Sequence, residues 1–222
     1  MADAIEALWH ELQHVIDSTL QQHEAASLFA ECDVLHERHV RNPAVAPATQ
    51  PVVREWLATA VANAPEPWRR LAERVAAATP ELPWIRSYEN LESSDALEAF
   101  RAFYSYQVLA GPVFRGRAAA IAVDDVLIGF SLQAPNVFYP AHHHEPPEIY
   151  GVISGALEWQ VGDTWSTVGP GDVIVHRSHE SHAMRTLDEP ALTWVMWPRN
   201  PHADVYMPSL DPPDKTMAPI TY

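Results

Sequence analysis

Cysteine is nearly absent from this chain. Cys32 is the single one, so no internal disulfide can form, and a lone thiol reads as a small core residue rather than a nucleophile. Positive charge is scarce as well: 14 Lys+Arg stand against 29 Asp+Glu, a net charge of −15. So acidic a surface excludes binding to a phosphate backbone, which needs a cationic face. It fits solubility and the attraction of small cations. No apolar run approaches the roughly 20 residues that span a bilayer, so no membrane partner is expected. The opening "MADAIEALWHELQHV" lacks a basic n-region and an unbroken apolar h-region. A signal peptide is therefore not expected, and the chain reads as cytoplasmic. Glycine, finally, is missing from the first half: all eight lie at Gly111 or later.

What stands in place of glycine is helical periodicity. In "DAIEALWHELQHVIDSTL" the residues Ile5, Leu8, Trp9, Leu12, Val15, Ile16 and Leu20 follow the i, i+3, i+4 rule of an amphipathic helix. "QPVVREWLATAVANA" repeats it with Val53, Trp56, Leu57 and Val61, and Pro51 suits its start. "EPWRRLAERVAAA" does so with Trp68, Leu71, Val75 and Ala78, and Pro80 and Pro83 stop it. A DNA-binding head is a poor reading of these helices, because their basic patch is thin. They are expected to pack on the following region or to form a homodimer contact. Residues 1–100 thus read as a helical N-terminal region.

Residues 101–222 have a different texture. "AAAIAVDDVLIGFSLQ", "EIYGVISGALEWQVGDTWSTV", "GDVIVHRSHESHAMRT" and "PALTWVMWPR" are short β-branched and aromatic runs divided by turn signals. Short strands at near-regular spacing predict an antiparallel sandwich or barrel. Prolines 135, 140, 146, 147 and 170 fall at strand ends, where a missing N–H is tolerated.

One stretch of this region concentrates chemistry: "FYPAHHHEPPEIYGVISGALEW". Read as strand, turn and strand, alternation puts His142 and His144 on one face and turns His143 away. The same rule puts Glu148 and Tyr150 together on the next strand. If both faces look into a barrel, two imidazoles, a carboxylate and a phenol converge. That donor set suits zinc, iron, manganese, nickel or copper. A further ligand is expected from "HRSHESHAM", where His176, His179 and His182 are spaced by three and do not share one strand face.

The pattern closely resembles the first cupin motif, with His142, His144 and Glu148 followed after six residues by Gly155. "GPGDVIVHRSHESHAM" is similar to the second motif, with Gly171 opening it and His182 as the last ligand. Three positions depart: Asn136 stands where a glycine is usual, and Arg177 and His179 replace the usual proline and glycine. The resemblance covers about residues 118–198. It implies a double-stranded β-helix barrel behind N-terminal α-helices, holding one internal metal ion.

A narrower resemblance is to the cupin-type dimethylsulfoniopropionate lyases, which cleave a β-sulfonium propionate to dimethyl sulfide and acrylate. It rests on "YPAHHHEPPEIYGVISG", "SHESHAM" and "TWVMWPR" behind a helical region. The resemblance implies His144, Glu148, Tyr150 and His182 as the metal group, and puts Tyr139, His142 and Trp197 in the pocket. The expected cofactor is one divalent ion, with zinc, iron(II) and manganese all open. The expected substrate is a small zwitterionic sulfonium acid.

The chemistry has use for each of these groups. A divalent ion on the substrate carboxylate would act as a Lewis acid during loss of the adjacent proton. A dication nearby favours a phenolate, so Tyr150 is the expected base and Tyr139 its rival. Aromatic faces attract onium groups; Trp197 is the first choice, with Tyr104, Tyr106, Trp159 and Trp194 also available. Two other readings use the same ligands: a small-molecule dioxygenase, and a non-catalytic cupin binding a small acid. A phenol beside Glu148 weighs against the dioxygenase, because it occupies a position oxygen would use.

Overall fold

The computed structural model describes residues 3–21, 40–89, 95–114 and 116–207. Cys32 lies outside the described residues.

Helix α1 runs Ala4–Leu20, with the Asp3 carboxylate accepting from the Ile5 amide at 3.0 Å as its N-cap. Helix α2 runs Pro51–Asn63 with its proline at the first position, and α3 runs Arg69–Ala78. These are the three helices that the periodicity predicts. A fourth, α4 at Asp95–Phe103, leads directly into the first long strand. Two short strands, β1 (Val40–Arg41) and β2 (Ile85–Arg86), come from the helical half and join the sheet behind it.

The remaining strands are β3 (Tyr104–Gly111), β4 (Ile121–Ala122), β5 (Leu127–Gln133), β6 (Phe138–His144) and β7 (Glu148–Ser154). They are followed by β8 (Leu157–Val161), β9 (Thr164–Val168), β10 (Val173–His176), β11 (His182–Thr186), β12 (Ala191–Trp197) and β13 (Val205–Tyr206). They form two sheets. The larger has the order β1-β4-β3-β5-β12-β7-β10 with β2 beside β3, and the smaller has the order β13-β6-β11-β8-β9. All pairings are antiparallel except β3 with β4. The architecture is mainly β with a helical N-terminal region, as the sequence pattern and the cupin resemblance imply.

Helices α2 and α3 pack against the larger sheet, and α1 packs on α3. That covering explains the composition of the central strands. In β5, β7 and β12 every residue is buried, because the helices close one face and the barrel interior closes the other. Strands buried on both faces read as continuous apolar runs rather than alternation. Edge strand β9 has no buried residue. One apolar core runs from Ile5 and Leu12 through Leu71 and Trp84 to Phe130 and Trp194, so helices and sheets share a single interior.

Two glycines make close approaches that no side chain would permit. A Cβ at Gly151 would lie 2.1 Å from the Trp194 indole nitrogen across β7 and β12. Gly155 turns the chain at φ +80°, where a Cβ would lie 2.5 Å from the Pro190 carbonyl oxygen. The two departures from the cupin motif that replace a glycine occupy left-handed backbone: Asn136 has φ 58° and His179 has φ 61°. The backbone keeps a glycine-like shape at both, and Asn and His are among the side chains that tolerate it best.

Candidate metal centre

The smaller sheet contributes His142 and His144 from β6 and His182 from β11; the larger contributes Glu148 and Tyr150 from β7, His176 from β10 and Trp197 from β12. All seven are buried. His142, His144, Glu148, Tyr150 and Trp197 line one cavity of about 540 Å³, open mouth included. His143 points away and stacks on Tyr206, ring centres 5.5 Å apart, as alternation predicts.

Tyr139 also lines the cavity, although it is three residues from His142 and should face the other way. A bulge in the β6–β11 ladder resolves this. His182 pairs with His142 and Met184 with Tyr139, so two steps on β11 match three on β6. The extra residue re-aims Tyr139 to the cavity side.

Each of the three histidines is oriented by a backbone carbonyl two residues away. Nδ1 lies 2.9 Å from the Pro140 carbonyl in His142, 2.8 Å from that of Pro146 in His144, and 2.8 Å from that of Glu180 in His182. A carbonyl only accepts, so each Nδ1 carries the hydrogen and donates it. The Nε2 lone pairs of His144 and His182 are thereby turned to Glu148, each 3.2 Å from Oε2. Three ligand atoms, one from each of His144, Glu148 and His182, fall within 4.8 Å of one another. His182 Nε2 is buried without a hydrogen-bond partner among the described residues.

Acceptors packed this closely repel unless a cation or a proton lies between them. Donors about 2.0–2.2 Å from a tetrahedral divalent ion stand about 3.3 Å apart, so the cluster fits such an ion. In its absence a proton can serve. Burial opposes a charged His144, but the Glu148 carboxylate outweighs burial and raises the imidazole above its usual value. Burial would likewise raise Glu148, yet His144, His176 and His182 hold it well below the usual carboxylate range.

Glu148 itself is clamped. The Trp197 indole N–H donates to Oε1 at 2.7 Å. Trp159 Nε1 donates to His176 Nε2 at 3.0 Å, so His176 carries its hydrogen on Nδ1 and donates it to Glu148 Oε2 at 2.9 Å. Burial, and then the neighbouring His182, push His176 down to about 4. Among the three histidines of "HRSHESHAM", His182 is therefore the ligand candidate and His176 the group that aims the carboxylate. His179 lies at the surface side, its ring 6.3 Å from His143.

The aromatic residues divide. Tyr104, Tyr106 and Trp197 line the cavity as expected for pocket walls, joined by Tyr88 and Phe114. Trp159 does not: it stands behind the ligands, its indole spent on His176. Trp194 lies against Gly151, also away from the cavity lining. Tyr150 shares a side-chain hydrogen bond with Tyr104, and burial, reinforced by the Glu148 charge, holds its phenol well above the usual value. Tyr139 is raised too, by burial first, and its hydroxyl bonds that of Tyr88. Tyr88 is the functional candidate that sequence reasoning missed. It comes from the helical half, and no local pattern marks it.

Residues 22–193 match the family model described as dimethylsulfoniopropionate lyase. The chain is 32% identical over 83 residues to the dimethylsulfoniopropionate lyase DddQ of Ruegeria pomeroyi, 37% of this chain and 41% of that protein. It is 31% identical over 129 residues to a Cereibacter sphaeroides protein named for the DddL lyase type, 57% of this chain and 50% of that protein. The matched segments thus span half or less of these relatives. Among solved structures, DddQ from Ruegeria pomeroyi DSS-3 superposes with a TM-score of 0.76 at 21% identity, covering 94% of this chain and 98% of the other. A chain from the crystallographic study of the lyases RdDddP and RnDddQII gives 0.72 at 23% identity, covering 92% and 100%. At these identities the structural likeness establishes a shared fold.

Proposed function

The chain belongs to the dimethylsulfoniopropionate lyase family, and from that premise we propose that it cleaves dimethylsulfoniopropionate to dimethyl sulfide and acrylate. The observation that carries the reading is the convergence of His144, Glu148 and His182, the first two of which line a cavity rich in aromatic rings. One divalent ion, zinc, iron(II) or manganese, is held by those three residues, with His142 adjacent. When bound, it supplies Lewis-acid stabilisation of the charge developing on the substrate carboxylate.

The protein's own groups do the rest. Trp197 and His176 hold the Glu148 carboxylate in line. Burial holds Tyr150 as a neutral phenol. The charge of a bound divalent ion would favour its phenolate, the phenol proton passing to solvent. That oxygen, in reach of Tyr104, would then take the proton from the carbon beside the carboxylate. The C–H electron pair becomes the new C=C bond, and the C–S pair leaves with sulfur as neutral dimethyl sulfide. The sulfonium end rests on Trp197, Tyr106 and Phe114, whose ring faces attract an onium group. In the same reading the protein is cytoplasmic, and the helical layer supplies a homodimer contact.

The test is a headspace assay for dimethyl sulfide, paired with acrylate quantitation, on purified protein loaded separately with each of the three metals. Stoichiometric sulfide and acrylate support the reading. No sulfide with any metal sinks it, and oxygen uptake with turnover would instead mark a dioxygenase.

A further inference from the structure

The helical half sends one segment into the cavity wall. Ser87 and Tyr88 follow β2, and both line the cavity beside the ligand cluster. Tyr88 has φ 55°, a left-handed conformation that is rare for an aromatic residue. Buried Arg101 from α4 fixes it. Its Nε donates to the Ser87 carbonyl at 3.0 Å, and its guanidinium also donates to the Tyr88 carbonyl. Glu98, one turn earlier on α4, holds the guanidinium from the other side, Nη1 to Oε1 2.5 Å. Strained backbone persists where its surroundings over-determine it, and such places cluster at working sites.

What the clamp delivers is a hydroxyl. Tyr88 and Tyr139 share a hydrogen bond, with their rings edge-on at 6.0 Å. Two phenols in contact use one proton between them, so the other must turn elsewhere. Tyr139 is the partner stacked on His142, beside the ligands. Ser87 Oγ, 2% exposed, has no hydrogen-bond partner among the described residues. The segment thus also presents a buried donor suited to a bound molecule.

We infer that Tyr88 is a positioning residue for Tyr139: its hydroxyl donates to the Tyr139 oxygen and leaves the Tyr139 proton for a carboxylate bound in the cavity. A phenol that accepts one hydrogen bond is a stronger donor of its own. This rests on the proposed elimination from a sulfonium acid, since it assigns Tyr139 to that acid's carboxylate end.

Tyr88→Phe removes the hydroxyl and keeps the ring. At matched metal content kcat is expected to fall about 10-fold with KM changed by less than about 3-fold. Because Tyr88 acts through Tyr139, the double variant Tyr88→Phe/Tyr139→Phe should be no slower than Tyr139→Phe alone. A structural role would instead give losses that multiply. Ring-labelled tyrosine supplies a readout without turnover: the Tyr139 Cζ resonance should move in Tyr88→Phe. If wild-type protein releases no dimethyl sulfide, the functional reading fails and the resonance alone decides the pairing. Unchanged kcat, multiplying losses or an unmoved resonance would each overturn the inference.

Discussion

Tyr139 and His142 are three residues apart on one strand, yet their rings stack 4.2 Å apart and 7° from parallel on the same cavity wall. The bulge that permits this spans Pro140 and Ala141, and the proline has no N–H to leave unpaired. Two tyrosines, Tyr139 from the bulge and Tyr150 from regular alternation, are thereby delivered to one space.

Removing the oxygen from each tells them apart. Tyr150→Phe is expected to lower turnover by about 10² or more, the scale of a lost general base. Tyr139→Phe should cost about 10-fold, since Tyr139 only donates to the substrate in the proposed chemistry. Acrylate release at matched metal content measures both. The reverse ranking would make Tyr139 the base, and two unimpaired variants would end the tyrosine mechanism.

The ligand assignment has an internal control. His144→Ala or His182→Ala should abolish metal retention after dialysis, and activity with it, whereas His143→Ala should keep both. Elemental analysis gives the answer, and a double variant still fully loaded with metal would defeat the assignment.

Trp159 and His176 make no contribution to the cavity wall, yet both should matter. Trp159→Phe keeps the ring bulk and frees the His176 tautomer, so Glu148 loses its orienting donor. Metal affinity should weaken about 10-fold or more, in the range seen when such outer partners are lost. Competition with a chelator of known affinity reads it, and wild-type affinity would refute the role.

The left-handed His179 predicts a gain. His179→Gly removes the strain of a side chain at φ 61° and should stabilise the fold by about 0.5–1 kcal/mol. His179→Ala, which keeps a Cβ, should give no such gain. Thermal melts of the two at equal metal content decide.

In metal-stripped protein, His142 and His176 set an acid limit. Burial depresses both imidazoles, His176 to about 4. The unfolded chain binds protons near pH 6.5 while the folded state does not, so stability is full above that value. It should fall as pH drops from about 6.5 toward about 4. Denaturant midpoints across that window should decline steadily, and a flat profile would contradict it.

Much of this was legible because local rules decided it. The periodicity of Ile5, Leu8, Leu12 and Ile16 gave α1, and alternation separated His143 from its neighbours. Helix α4 was missed, although "DALEAFRAF" is built of good helix formers, because it lies against the start of β3. The order of the larger sheet was beyond reach, since β12 sits between β5 and β7 by contacts far apart in the chain. Tyr88 and the aiming role of His176 were hidden for the same reason: what defines them is a partner, Tyr139 or Glu148, supplied by a different element. Trp159 was placed in the pocket on its aromatic character alone, which says nothing about which side of the ligands it occupies.

The candidate ligands come from both sheets: His144 and His182 from the smaller, Glu148 from the larger. An ion held there would join the two halves of the barrel as a rivet joins two plates. Its loss would leave the two plates joined only by their packing, so metal removal should loosen the barrel as a whole and not the site alone. A chelator would then act as a probe of that joint, its effect read in the stability of strands far from the ligands.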